Sequence, residues 1–163
     1  MDERDIRILK AISDLGTGSP ERIHEETDIP VSTIHYRLNK LRESGAITND
    51  LYDLDLDEVG LGVTVIVEVF ANYSDSYEEV AEQLLAIEGV TQAFFTMGET
   101  DFIVIARLPD SEKVERLIRA FEAIEAVERT NSTFVVKPLR DGQRALQSYS
   151  LETLFEELDL EGD

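Results

Sequence analysis

Residues 16–47 read GTGSPERIHEETDIPVSTIHYRLNKLRESGAI, and this stretch decides the architecture of the first third of the chain. Ser19 ahead of Pro20 is a helix start. A hydroxyl there accepts from an orphan N–H, and proline is at home in the first turn. The helical pattern breaks at Asp28-Ile29-Pro30. It resumes from Pro30 to Ser44 with Ile34, Leu38 and Leu41 on one side, and Gly45 stops it. Upstream, Ile8, Ala11, Ile12 and Leu15 form the stripe of a helix over 3–15, ended by Gly16-Thr17-Gly18. Two helices joined by a tight turn make a helix-turn-helix, whose second member is shaped to enter a DNA major groove.

The remainder of the chain must be reconciled with that segment. There are 163 residues, enough for one domain or two small ones, and 42 % are hydrophobic, so a real core is available. No cysteine is present, which excludes disulfides, thiolate metal sites and a cysteine nucleophile. No apolar run approaches the roughly 20 residues that span a bilayer. The start, Met1-Asp2-Glu3-Arg4-Asp5, lacks the apolar centre of a signal peptide. A cytoplasmic protein without membrane attachment is expected. Net charge is −20, which repels DNA at long range. Its distribution matters more. Residues 1–45 hold seven bases and nine acids, and residues 46–163 hold eight bases and 26 acids. The acidity therefore lies outside the segment that meets DNA. Such density also suggests a halophilic source with a salt-rich cytoplasm, where the Debye length falls to about 3 Å at 1 M and repulsion is screened.

The second half has a different grammar. Val63 to Ala71 is a β-branched strand. Residues 76–88 form an amphipathic helix on Tyr77, Val80, Ala81, Leu84 and Leu85. Strands over 90–97 and 102–108 flank the turn Gly98-Glu99-Thr100-Asp101. Ser111 is expected to cap a helix on Val114, Leu117, Ile118 and Phe121, and a strand over 127–137 closes the order β-α-β-β-α-β. Both helices would cover one sheet face. The other face exceeds the apolar patch normal on a monomer unless it meets a second copy, so a homodimer or a higher homo-oligomer is expected. The predicted fold is α+β: an N-terminal helix-turn-helix (winged-helix-like) domain over 1–47, a connector over 48–62 in which a short strand is expected, a C-terminal ferredoxin-like βαββαβ domain for dimerisation over 63–140, and an acidic tail over 141–163 with a short helix on Leu151, Leu154, Phe155 and Leu158.

This arrangement resembles the Lrp/AsnC (feast/famine) transcriptional regulators over about residues 2–140. Asp2, Ile6 and Leu9 stand where that family begins its first helix. Ile34, Arg37, Leu41, Gly45 and Ile47 follow the spacing of its recognition segment, and Gly98, Asp101 and Phe102 that of its second-domain signature. His24, Asp28, Pro30 and Arg42 depart from the usual pattern, and Asp28 and Pro30 alter the turn and cap ahead of the third helix. The resemblance implies a sequence-specific binder of double-stranded DNA that regulates transcription, modulated by a small effector, an amino acid, held between second domains. An alternative is a ligand-sensing module whose helix-turn-helix no longer binds DNA.

Candidate residues follow. Ser32, Thr33, His35 and Tyr36 lie toward the start of the third helix, the end that reaches base edges. Arg37, Lys40 and Arg42 suit phosphates, with Arg22 and His24 as backbone contacts from the second helix. Two roles stay open for Arg37: phosphate contact, or an ion pair with an acid inside the domain. For Tyr36 the other role is packing against the first helix. The resemblance points to Gly98, Glu99, Thr100 and Asp101 for the effector. The carboxylates of Glu99 and Asp101 would accept from its ammonium, with Thr130, Asn131, Ser132 and Thr133 as partners from a neighbouring subunit. A plain hairpin is the other reading of that turn. No nucleophile–base constellation, cofactor loop or metal-ligand set stands out, so neither enzymatic activity nor a cofactor or metal is expected.

Overall fold

The computed structural model describes residues 1–49, 54–72, 76–140 and 144–158. It divides into two compact units, Met1–Asp53 with Arg140–Asp163, and Leu54–Leu139. Part of the expected connector (Asp50 to Asp53) and the chain end from 159 lie outside the described residues.

The first unit is helical. Helix α1 spans Glu3–Leu15, α2 Pro20–Thr27 and α3 Val31–Glu43. Each boundary has a chemical cause. Asp2 and Asp5 form a reciprocal capping box at the start of α1, which satisfies two orphan donors at once. Ser19 caps α2 with Pro20 in its first turn. Gly16 ends α1 at φ 66°, and a Cβ there would come within 2.6 Å of the Arg144 guanidinium. Asp28 closes α2 at φ 57°. That left-handed conformation is costly for most side chains but tolerated by aspartate, so the turn keeps its shape without a glycine. Thr27 and His24 brace it. The Thr27 hydroxyl donates to the Ile23 carbonyl at 2.7 Å, and His24 Nδ1 lies 2.9 Å from the Ile29 carbonyl oxygen. His24, expected at the DNA backbone, also braces the turn, and the residue is exposed. The core gathers Ile8, Ala11, Ile23, Ile29, Ile34, Leu38 and Leu41.

The C-terminal segment belongs to this unit and is no free tail. A 3-10 turn over Ala145–Ser148 and helix α6 over Leu151–Glu157 pack on α1. Leu154 is buried there, and the Arg7 guanidinium lies 5.2 Å from the centre of the Phe155 ring. The acids Glu152, Glu156 and Glu157 take the solvated side, while the apolar stripe docks.

In the second unit β1 spans Val63–Ala71, α4 Tyr77–Leu85, β2 Val90–Phe95, β3 Phe102–Leu108, α5 Ser111–Glu122 and β4 Val127–Phe134. The sheet order is β2-β3-β1-β4, every pair antiparallel. Val65, Val67 and Val69 of β1 and Phe102, Val104 and Ala106 of β3 are buried with Val80, Leu84, Val114, Leu117 and Phe121 from the helices. Alternation then places Ile66, Glu68 and Phe70, with Ile103 and Ile105, on the other face. Several boundaries differ from expectation, α4 and β2 ending early at Leu85 and Phe95. Asp110, not Ser111, caps α5, because its carboxylate already reaches the Lys113 N–H at 2.9 Å. Strand β4 stops at Phe134, where its pairing with β1 ends. No strand forms among the described residues 54–62.

Candidate nucleic-acid interface and effector site

Helix α3 is sorted by its own period. Ile34, Leu38 and Leu41 are buried. Ser32, Tyr36, Asn39 and Glu43 recur at three- and four-residue spacing on the opposite side, and all four are exposed. Tyr36 is 62 % exposed, which rules out packing against α1 within this unit. Lys40 Nζ lies 5.6 Å from its ring centre, within cation–π range. His35 and Lys40 flank the face, and Thr33 is half-buried at its edge. Asn39 was missed in the sequence because it falls in the second half of the helix. Its amide has the donor and acceptor pair that reads adenine, and its place in the period was the available signal.

Of the cations, Lys40 and Arg42 are exposed. Arg22 is exposed too, with only a loose approach to Glu25 at 3.7 Å. Arg37 differs. Its Nη1 donates to Asp2 Oδ1 at 2.6 Å, Asp2 Oδ2 at 2.7 Å and Asp5 Oδ1 at 2.7 Å, and its side chain is only 16 % exposed. Burial alone would raise the Asp2 carboxyl. The hydrogen bond from Arg37, the Asp5 N–H and the adjacent guanidinium charge outweigh burial and hold the carboxyl below its ordinary value. The hydrogen bond to Asp2 leads in raising Arg37 above its own ordinary value. Of the two roles left open for Arg37, the structure shows the ion pair inside the domain: the guanidinium is engaged by two carboxylates of its own unit.

In the second unit the turn after β2 is held from within. The Thr96 N–H donates to the Asp101 carbonyl at 2.9 Å, and the Thr96 hydroxyl donates to the Thr100 carbonyl. Asp101 Oδ2 accepts from the Ala71 N–H at 2.9 Å, so this carboxylate ties the turn to the end of β1. Gly98 and Glu99 are exposed.

A carboxylate that sequence reading passed over joins the two expected segments. Glu68, on β1, accepts from Asn131 Nδ2 at 2.6 Å and lies 3.5 Å from the Thr100 hydroxyl. The signal was one acid inside the apolar run VTVIVEVFA. The β4 run is split by alternation. Asn131 and Thr133 pair with Glu68 and Ile66 on the open face, whereas Thr130 and Ser132 pair with Val69 and Val67 on the face that the helices cover. Thr130 and Ser132 are therefore not brought to Glu68. Two residue pairs along from Glu68 and Asn131, the Arg129 guanidinium stacks 3.4 Å from the Phe70 ring centre. Among the described residues no group of three or more His, Asp or Glu side chains is placed to hold a metal ion, and no helix is long and apolar enough to cross a membrane.

Comparison with known proteins agrees with this fold. Residues 64–145 match the model of the Lrp/AsnC ligand binding domain, and residues 1–48 match that of a winged helix-turn-helix DNA-binding domain. The HTH-type transcriptional regulator FL11 of Pyrococcus horikoshii is 30 % identical over 137 residues, covering 84 % of this chain and 90 % of the relative. Among solved structures, a transcriptional regulator from Neisseria meningitidis in complex with L-Met superposes with a TM-score of 0.81 at 22 % identity, covering 94 % of this chain and 99 % of the other. Escherichia coli AsnC gives 0.75 at 20 % identity, covering 88 % and 98 %.

Proposed function

The chain belongs to the Lrp/AsnC family of DNA-binding transcriptional regulators, and from that premise we propose how its own residues divide the work. The first unit reads double-stranded DNA with the outward face of α3. Ser32, Tyr36 and Asn39 face base edges. Thr33 and His35 assist at the helix start, and Lys40, Arg42 and Arg22 meet phosphates and fix register. The observation that carries this reading is the alignment of three hydrogen-bonding side chains opposite the buried Ile34–Leu38–Leu41 stripe. The second unit senses an amino acid where Thr100, Glu68 and Asn131 converge, with Gly98 and Glu99 at the rim. Glu68 accepts from the ligand's ammonium, and backbone N–H groups of the turn receive its carboxylate. The solved relative bound to L-Met supports an amino-acid ligand.

The open sheet face, carrying Ile66, Phe70, Phe94, Ile103 and Ile105, is covered by a second copy. The assembly sets two reading heads at a spacing that matches half-sites about one helical turn apart, or a multiple. The effector shifts that assembly and so changes DNA affinity by linkage. The acidity of the second unit suits a salt-rich cytoplasm, in which these steps operate.

The test is a fluorescence-anisotropy titration of a labelled duplex from the protein's own promoter, in molar KCl, with and without each of the twenty amino acids. The reading expects tighter binding to the promoter than to a scrambled duplex, and a shift with at least one amino acid. Equal affinity for both duplexes would refute sequence reading. Indifference to all twenty would refute the effector.

A further inference from the structure

We propose that Arg37 is a positioning residue of the recognition helix: it straps α3 to the first turn of α1 and so sets the angle at which Ser32, Tyr36 and Asn39 meet the groove. The inference rests on α3 being the DNA-reading helix.

Three observations carry it. The guanidinium is shared between Asp2 and Asp5 at 2.6–2.7 Å, across 35 and 32 residues of chain. The two carboxylates are already placed by the capping box that begins α1, so the strap and the start of α1 form one network. Arg37 also leaves α3 on the flank beside the core, where its side chain is 16 % exposed, while Lys40 and Arg42 are exposed. The electrostatics agree. Two acids surround one base, so the cluster is net negative. A phosphate approaching it meets repulsion and must displace two carboxylates before it reaches the guanidinium. Arginine is suited to this position because its planar fork can serve two carboxylates at once.

The strap and the phosphate ligand predict opposite signs. The variants are Arg37→Gln, the double variant Asp2→Asn/Asp5→Asn, and the triple variant. Asparagine keeps a good N-cap for α1 while it removes the charges. Affinity is read by anisotropy on the promoter duplex and a scrambled duplex, as a function of KCl, well below the unfolding temperature. As a strap, Arg37→Gln and the double variant each weaken promoter binding on the order of tenfold, within the usual range for groups coupled in one network. Both narrow the ratio between promoter and scrambled duplex, leave the slope of log affinity against log salt unchanged, and the triple variant is no worse than Arg37→Gln. The proposal is overturned if the double variant binds as tightly as the native chain or tighter. A fall of about 1 in the salt slope for Arg37→Gln, the mark of a lost phosphate contact, also overturns it. If Arg37→Gln does not fold, the double variant decides alone by the direction of its change. If that also loses its helices, Asp2→Asn decides in the same way, its side chain being 44 % exposed and the change mild.

Discussion

The proposed DNA-reading face and the proposed effector site are built by different means. The face on α3 is one helix long, and its members are three or four residues apart. The effector site draws Glu68, Thr100 and Asn131 from β1, the turn before β3 and β4, with 32 and 63 residues between hydrogen-bonded partners. A local site is organised by the helical period alone. A dispersed one depends on strand register, which must be right to a single residue, because a one-residue slip turns every side chain to the other face. The head should therefore tolerate substitutions on its surface and lose mainly specificity. The sheet site should be sensitive to anything that moves β1 against β4.

The largest effect expected on the head is Leu38→Ala. Leu38 is 3 % exposed in the helical core, and its truncation should cost about 2–5 kcal/mol of stability. Thermal denaturation followed by circular dichroism reads this, and DNA binding should go with it. Next in size is Asn39→Ala or Tyr36→Ala. Each should relax preference at one operator position by about 1–3 kcal/mol, with unfolding temperature unchanged. Base-by-base competition would show it. Glu68→Gln is the matching probe of the sheet site. It keeps the shape and the hydrogen bond from Asn131 but removes the charge, and calorimetry should record about tenfold weaker amino-acid binding, with promoter affinity in the absence of effector unaltered. An effect on DNA alone would break the comparison.

Smaller again is the response to acid. The Asp2 carboxyl is held below its ordinary value, so the stability it contributes is fully present above the ordinary carboxylate range and is lost as pH falls through the lowered value. Unfolding of the native chain should steepen below about pH 4. Asp2→Asn should flatten that slope modestly, since the side chain is half exposed and salt screens it. Ser150→Ala, at the cap of α6, should cost about 1 kcal/mol or less.

Sequence reading succeeded where structure is local. The cap at Ser19, the stop at Gly16 and the core stripe of α3 all follow from residue chemistry within one turn, whereas the cap of α5 was placed one residue late, at Ser111 instead of Asp110. It also found the β-α-β-β-α-β order, because strand and helix patterns alternate clearly. It could not show that Arg37 faces Asp2 and Asp5, since nothing in the spacing of α3 marks a partner 35 residues away. It could not separate Thr130 and Ser132 from Asn131 and Thr133, because a polar run on an edge strand carries no hydrophobic alternation to reveal which residues share a face with Glu68. It found the short helix of the acidic C-terminal segment from the stripe of Leu151, Leu154, Phe155 and Leu158, but not that α1 is the helix it packs on, because a stripe does not name its partner.

The account's central claim is that the outward face of α3 reads sequence while the exposed cations beside it only hold the backbone. The most direct measurement compares Asn39→Ala with Lys40→Ala on the promoter duplex and on a scrambled duplex in molar KCl. The account predicts that Asn39→Ala weakens promoter binding and leaves the scrambled duplex unchanged, whereas Lys40→Ala weakens both alike and lowers the salt slope by about 1. The reverse pattern, or two variants that behave identically, would contradict it.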